Sequence, residues 1–453
     1  MSEQAELYAM KAVHFIGVGG VSMSALAALL HQNGVIVSGS DMQESSVTAH
    51  LRELGIRVFI GHKEGQLGVA DTVVYNARIH PDNAEYAEAM KKGLQIIPRA
   101  ALLGSIMKTY ARSVAVAGTH GKSTTTSMLA QIFCTAGCDP TVMNGASLSC
   151  LEGGTYRLGK SDLFLCEACE YTRSFLHFYP GIAVVLNVEE DHLDYYRDLD
   201  DILDAFRQFL AQTGPCGTAV ICADQQGAMR AAEGYAGKLL TYGIDRGEIR
   251  ACEIRTHLGR VCFTLCRNGE PLGEIRLAVC GKHNVYNALA ACAVSLTLGL
   301  SVQQIAQGLA LFGGCDRRLQ QVGKVNGAKL YIDYAHHPTE VHAALEALRS
   351  MTKGRVIALF QPHTYSRVQA FAKGFAEALK AADISALAEV FSASETQPEG
   401  VSSQNIADLL PHTPVIEDFE RAARWIRSVA REDDAVVLLG AGDIPQVARF
   451  LQE

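Results

Sequence analysis

The sequence contains no uninterrupted apolar stretch of about 18 residues, so no membrane-spanning helix is expected. It has no basic excess either. Its 40 Lys and Arg face 48 Asp and Glu, a formal net charge of −8. A dedicated nucleic-acid binder is usually basic, so nucleic acid is not an expected partner. The first ten residues, MSEQAELYAM, lack the basic start and apolar core of a secretory signal. A disulfide framework is also missing. The 13 cysteines are odd in number and scattered, which suits reduced thiols in a cytoplasmic protein. Cys166 and Cys169 have C-x-x-C spacing, but a zinc site needs further ligands nearby. DLFLCEACE reads as a strand, so both are expected to be buried strand thiols. Internal repeats and low-complexity tracts are absent.

What is present is a chain of 453 residues with ordinary globular composition, long enough for two to four domains. Short apolar strands alternate with apolar-periodic helices, which predicts parallel sheets with crossover connections. Expected strands include Val13–Ile16, Val35–Asp41 and Asp71–Asn76, then 113–118, 162–168, 181–187, 218–223 and 260–266. A last series covers 329–335, 355–361, 383–390 and 435–441. An alanine-rich helix should begin after Gly281-Lys282-His283-Asn284 and run through Leu300. The expected architecture is α/β in three domains. Residues 1–112 are expected to form a Rossmann-like N-terminal domain, and residues 113–311 a central domain with a mostly parallel sheet, of the P-loop ATPase type by the glycine turn at 118–124. Residues 312–453 form a Rossmann-like C-terminal domain.

Two glycine turns stand at strand-to-helix junctions. The first, Gly17-Val18-Gly19-Gly20-Val21-Ser22, resembles a dinucleotide fingerprint with its third glycine replaced. Asp41 ends the next strand, where an acid could grip a ribose hydroxyl. The turn predicts a nucleotide-like ligand held at a helix N-terminus, without specifying NAD. The second turn, Gly118-Thr119-His120-Gly121-Lys122-Ser123-Thr124, ends like a phosphate loop. Its backbone amides can cradle phosphate oxygens, Lys122 can reach terminal phosphates, and a hydroxyl at Ser123 or Thr124 can hold Mg²⁺. The strict pattern wants a glycine where Val116 stands. Glu170 and the pair Asp191-His192 each follow an expected strand. Residues just past strand C-termini face the ligand crevice, so Lys122, Glu170 and His192 should converge. A carboxylate and an imidazole there can hold divalent cations beside nucleotide phosphates.

GTHGKSTTTSMLA, CEACEYTRSFLHFYP, VLNVEEDHLDYY, GKHNVYNALAA, DRRLQ, YIDYAHHPTE and FQPHTYSR occur in this order. Together they resemble the Mur ligase family over nearly the whole chain. In that family the loop shortens to GT-x-GK-[ST], which accommodates Val116. The resemblance implies an ATP- and Mg²⁺-dependent ligase. It would join L-alanine to the lactyl carboxylate of UDP-N-acetylmuramate, through an acyl phosphate, in peptidoglycan precursor synthesis. An alternative is the recycling activity that attaches a tripeptide to the same sugar nucleotide. An oxidoreductase would rest on the first glycine turn and Asp41 alone, and a non-catalytic ATP-binding module would leave the Lys122, Glu170 and His192 set without a role.

Residue by residue, the resemblance implies that Gly118 to Thr124 bind ATP phosphates, with Lys122 catalytic. Ser123, Glu170 and His192 would hold the metal. Asn284 and Asn287 would lie near the adenine, Asp333 at the ribose, and Arg318 would stabilise developing charge. Gly19, Gly20, Ser40 and Asp41 would hold the UDP moiety. His363 and Arg367 would lie near the incoming alanine, with Tyr334 and His337 close by. His192, His337 and His363 are the expected candidates for accepting the amine proton. Assembly is expected as a monomer or weak homodimer. Two departures stand out. Many members read DES where this chain has Cys169-Glu170-Tyr171, and many carry arginine at the position of Thr364.

Overall fold

The computed structural model describes residues 10–151, 154–257, 259–393 and 395–451. The polar opening considered above therefore lies, except for Met10, outside the described residues. Three sheets follow one another along the chain, each flanked by helices. No helix among the described residues is long and apolar enough to cross a membrane.

The N-terminal sheet is parallel. Its order is Arg57–Ile60, Ile36–Asp41, Ala12–Ile16, Thr72–Tyr75 and Gln95–Pro98. Ala12–Ile16 is fully buried at its centre, and connections leave it in both directions. Such a reversal of strand order opens a crevice at the strand C-termini, and the Gly17 turn sits there.

The central sheet is larger. Six strands, Thr141–Met143, Leu163–Glu167, Arg112–Ala117, Ile182–Val185, Thr218–Cys222 and Lys238–Gly243, lie parallel in that order. Ile249–His257 extends the parallel run, and Arg260–Arg267 and Glu270–Leu277 then fold back antiparallel at the edge. The sheet is mostly parallel, as anticipated, but the strand at 260–266 belongs to this hairpin edge and not to a β/α repeat. Val116 is a fully buried strand residue paired with Val184. The strand runs on to Ala117, so the phosphate loop starts only at Gly118. This is the structural reason the loop is short. The helix Lys122–Thr135 packs between the sheet and the helices Lys282–Thr297 and Val302–Leu311.

The C-terminal sheet begins with the antiparallel strand Gln320–Val325 and continues parallel through Ala328–Asp333, Ala435–Leu439, Val356–Phe360, Ile384–Ala388 and Val415–Ile416.

Cysteine burial departs in part from expectation. All 13 cysteines are free, and Cys166 is buried in its strand. That strand ends at Glu167, however, so Cys169 lies beyond it and is exposed.

Candidate active site between the central and C-terminal domains

The phosphate loop is held from below by side chains. Asn187 clamps it: His120 N donates to Asn187 Oδ1 at 2.7 Å, and Asn187 Nδ2 donates to the His120 carbonyl at 3.2 Å. The Glu189 amide donates to Thr119 Oγ1 at 2.9 Å. Gly121 has φ +84°, and a Cβ there would stand 2.6 Å from Asn287 Oδ1. Any side chain would be strained and would also strike a buried amide. Asn287 in turn takes a hydrogen bond from Thr125, and its Nδ2 donates to Asn284 Oδ1 at 3.2 Å. Asn284 Nδ2 donates to the Cys280 carbonyl at 2.7 Å. Asn287 thereby packs against the loop at Gly121, and Asn284 holds Asn287 in place.

Lys122 Nζ lies 2.5 Å from the Gly118 carbonyl, 3.1 Å from that of Thr119 and 2.9 Å from Glu170. Burial opposes its charge, but Glu170 outweighs burial and its pKa is raised. His192 Nε2 is 3.8 Å from Glu170 Oε1, so the anticipated convergence of Lys122, Glu170 and His192 is observed. Ser123 Oγ donates to Glu167 at 3.1 Å. Thr124 is buried and faces the cavity described below. The Cys-Glu-Tyr departure keeps the site supported. Tyr171 packs on the His192 ring at 4.6 Å between centroids, and its hydroxyl donates to Asp194 at 3.0 Å. Tyr196 donates to the Glu170 carbonyl at 2.5 Å. His192 itself has φ +53°, a conformation that costs energy in a non-glycine residue and is often found at functional sites.

A cavity of about 1170 Å³ opens between the central and C-terminal domains. His120, Gly121, Thr124, Asn284, Asn287, Arg318 and Asp333 all line it. That volume exceeds a typical small-ligand pocket and suits a nucleotide. Asp333 ends its strand and accepts amides from Leu319 at 2.7 Å and Ala335 at 2.8 Å. Burial pushes its carboxyl up to about 6 despite Arg318. The guanidinium of Arg318 lies 5.3 Å from the Tyr334 ring centre and 3.8 Å from Glu340. Arg317 is anchored instead to the Gly440 and Gly442 carbonyls, at 2.8 and 3.0 Å.

Beside Lys122, a second cluster crosses the same interface. Arg367 Nε donates to Asp191 at 2.9 Å, and its NH2 lies 2.8 Å from the same carboxylate. Burial raises the Asp191 pKa, but His192 and Arg367 outweigh it and hold the carboxyl below the usual range. Arg367 also approaches His363 Nδ1 at 3.4 Å and His192 Nδ1 at 3.5 Å. His363 stacks on Phe391, and burial with nearby His336 and Arg367 lowers its pKa to about 4. Thr364, with φ +67°, bonds to Ser366 and to the Phe391 carbonyl, so it shapes the turn and places no charge here.

Three of the anticipated residues, His337, Ser40 and Asp41, make the following contacts. His336, not His337, faces His363, with ring centroids 5.9 Å apart. His337 is extended, with φ −118° and ψ 147°. Neighbours along extended backbone point to opposite sides, so His337 turns away and donates to the Glu190 carbonyl at 3.1 Å. Ser40 is fully buried, and its hydroxyl is committed to Glu85 at 2.5 Å and His62 at 2.8 Å. Asp41 holds the glycine turn itself, accepting the Gly19 amide at 2.8 Å. A Cβ on Gly19 would meet that carboxylate at 2.8 Å, while Gly20 is exposed at the turn. Sequence reasoning missed Asn187, Glu340 and the Asp191 pairing. For Asn187 and Asp191 a signal existed, since both follow the strand Ile182–Val185.

A phosphate loop with a facing carboxylate, closed over by another α/β domain, defines an enzyme that uses nucleotide phosphates. Family models match three stretches: Mur ligase family, catalytic domain at residues 12–111; Mur ligase middle domain at 116–295; and Mur ligase, glutamate ligase domain at 317–442. The chain belongs to the Mur ligase family, whose members are ATP-dependent. It is 43% identical over 446 residues to the UDP-N-acetylmuramate–L-alanine ligase of Agathobacter rectalis, covering 97% of each chain. The UDP-N-acetylmuramate-alanine ligase MurC of Thermotoga maritima is similar in structure, with TM-score 0.81, 28% identity and coverage of 97% and 98%. A murein peptide ligase of Psychrobacter arcticus shares the fold at TM-score 0.71 and 24% identity, over 97% and 98% of the two chains.

Proposed function

We propose that this chain is an ADP-forming ligase that joins L-alanine to the lactyl carboxylate of UDP-N-acetylmuramate, in the cytoplasm, for peptidoglycan precursor synthesis. The observation that carries the reading is one interface. Lys122, Glu170 and His192 meet Arg367, His363 and His336 there, beside a nucleotide-sized cavity. The substrates are those named for the Agathobacter relative.

A carboxylate resists attack by an amine because it is anionic and oxide is a poor leaving group. Phosphorylation by ATP makes an acyl phosphate, with phosphate as leaving group. The loop amides and Lys122 stabilise charge on the transferring phosphoryl group. Lys122 must release Glu170 to do so. Ser123, Glu170 and His192 fit a magnesium ion: Glu170 Oε2 is buried without an aligned hydrogen bond, 2.9 Å from the Lys122 ammonium that must move away, and the donors include hard oxygens. When bound, that ion supplies charge neutralisation at the phosphates. Arg318, projecting into the cavity, neutralises negative charge from the C-terminal side.

Arg367 is placed to bind the alanine carboxylate, exchanging it for Asp191. The amine must lose a proton before or during attack. His363 is held neutral at pH 7 and so is able to accept one. Closure of the C-terminal domain excludes water from the acyl phosphate. The first glycine turn and Asp41 receive the uridine diphosphate end. The same reading divides the chain at 1–112, 113–311 and 312–453, acting as a monomer or weak homodimer.

The test is ADP release with ATP, Mg²⁺, UDP-N-acetylmuramate and a panel of amines. L-alanine should be preferred, and preference for a tripeptide would overturn the substrate assignment. Lys122→Ala should lose about 10³-fold in turnover with an unchanged melting curve. Normal turnover in that variant would remove the phosphate-loop assignment.

A further inference from the structure

Beside the phosphate loop, three ligating side chains converge. They are His120 of the loop, Glu189 after the strand Ile182–Val185, and His337 before the helix Pro338–Met351. One ligand atom from each lies within 4.8 Å of the others. His120 Nε2 is 3.3 Å from Glu189 Oε2, and His337 Nδ1 is 4.0 Å from the same oxygen. Ligands about 2.0–2.1 Å from a tetrahedral ion stand roughly 3.4 Å apart, so small side-chain shifts complete the set.

We infer that His120, Glu189 and His337 form a transition-metal site that ties the phosphate loop to the C-terminal domain. The second nitrogen of each imidazole already has a partner. His120 Nδ1 lies 3.2 Å from Glu340, and His337 Nε2 donates to the Glu190 carbonyl at 3.1 Å. Outer partners of this kind orient each ring toward a metal, which here takes the place of the proton that His120 Nε2 shares with Glu189. Glu189 is itself steadied by Thr339 Oγ1, which donates to Oε2 at 2.8 Å. The ion displaces two contacts, the 3.3 Å hydrogen bond between His120 Nε2 and Glu189 Oε2 and the 3.3 Å bond from the Thr339 amide to His337 Nδ1. Glu189 and Glu340 supply two negative charges around it.

Two imidazoles and one carboxylate select a borderline divalent ion such as zinc or cobalt over magnesium, which prefers oxygen. Three protein ligands leave a fourth position for water or a phosphate oxygen. Glu189 and His337 also border a second hollow of about 660 Å³, which gives the ion a path from solvent. Two ligands belong to the central domain and one to the C-terminal domain. An ion here therefore favours the closed arrangement, and it is separate from the Ser123, Glu170 and His192 set.

The test is titration of the chelator-stripped full-length protein with Co²⁺ alone, followed by its visible absorption. One equivalent should give the strong bands of tetrahedral Co²⁺. His337→Ala should abolish them, Glu189→Gln should weaken binding at least tenfold, and Glu340→Gln should weaken it by about 10- to 100-fold. His192→Ala should bind as the parent does. Circular dichroism of each variant identifies any that fails to fold, and the milder Glu189→Gln and Glu340→Gln then decide. The inference is overturned by a weak octahedral spectrum, by a thiolate charge-transfer band, by bands that survive in folded His337→Ala, or by their loss in folded His192→Ala.

Discussion

Between the N-terminal and central domains, contact is made by apolar groups. Leu102, Leu103, Ile106 and Met107 of the helix Arg99–Met107 belong to one buried cluster with Phe175, Phe178, Phe206 and Phe209. That helix comes so close to the segment Tyr171–His177 that a Cβ on Gly104 would lie 1.8 Å from the His177 carbonyl. Between the central and C-terminal domains, the contacts described are instead ionic and hydrogen-bonded: Asp191 to Arg367, Glu189 to Thr339, His120 to Glu340. The C-terminal domain keeps two apolar clusters that contain no residue of the central domain, while Phe312 and Cys315, at its start, join the central cluster. Continuous apolar packing resists separation because opening exposes the buried surface to water. Polar groups that pair across an interface can be rehydrated when it opens, so relative motion is the default there. The large cavity and both histidine clusters lie at the polar interface, where opening and closing can admit ligands and then exclude water.

Three substitutions test this contrast, from the largest expected effect to the smallest. Gly104→Ala inserts a methyl where no space exists. It should lower unfolding stability by about 3 kcal/mol, measured in urea. A loss under about 0.5 kcal/mol would mean that the N-terminal interface is not tightly packed. Arg367→Ala, at the other interface, should leave the urea midpoint nearly unchanged while kcat/KM for alanine falls about 100-fold. The remaining Asp191 can be hydrated as the domains part. If the main consequence were unfolding, the two interfaces would not differ as described.

The smallest effect concerns pH. Burial, with Arg318 nearby, lowers the His283 pKa to about 4. Its unfolded value is near 6.5, so the folded state prefers the neutral ring. The stability that His283 contributes is therefore complete above about pH 6.5 and is lost as pH falls through about 4. His283→Gln should flatten this acid limb of the urea-midpoint profile by on the order of 1 kcal/mol. An unchanged limb would assign acid sensitivity to other groups.

Much of the fold could be read from the chain because its signals are local. Val114 to Ala117 form an apolar strand, glycine follows, and Lys122 begins a helix. That order alone places a phosphate loop at the edge of a parallel sheet. The hairpin edge at 249–277 was less legible, since parallel and antiparallel strands of similar composition differ mainly in their partners. The N-terminal site was only partly legible. Ser40 sits next to Asp41 in sequence, yet its side chain points into the buried Glu85 and His62 network.

The sequence by itself determined the three α/β units, the short loop with its lysine, and the carboxylate and histidine at strand ends. Strand and helix periodicity follow from backbone geometry within a few residues, so no distant partner was needed to read them. Only the tertiary structure decided that Asp191 pairs with Arg367, that His336 faces His363, and that His337 turns toward His120 and Glu189. Asp191 and Arg367 are 176 positions apart and come from different domains, so no local pattern relates them. The choice between the adjacent histidines rests on which side of an extended backbone faces the central domain, and domain packing sets that side.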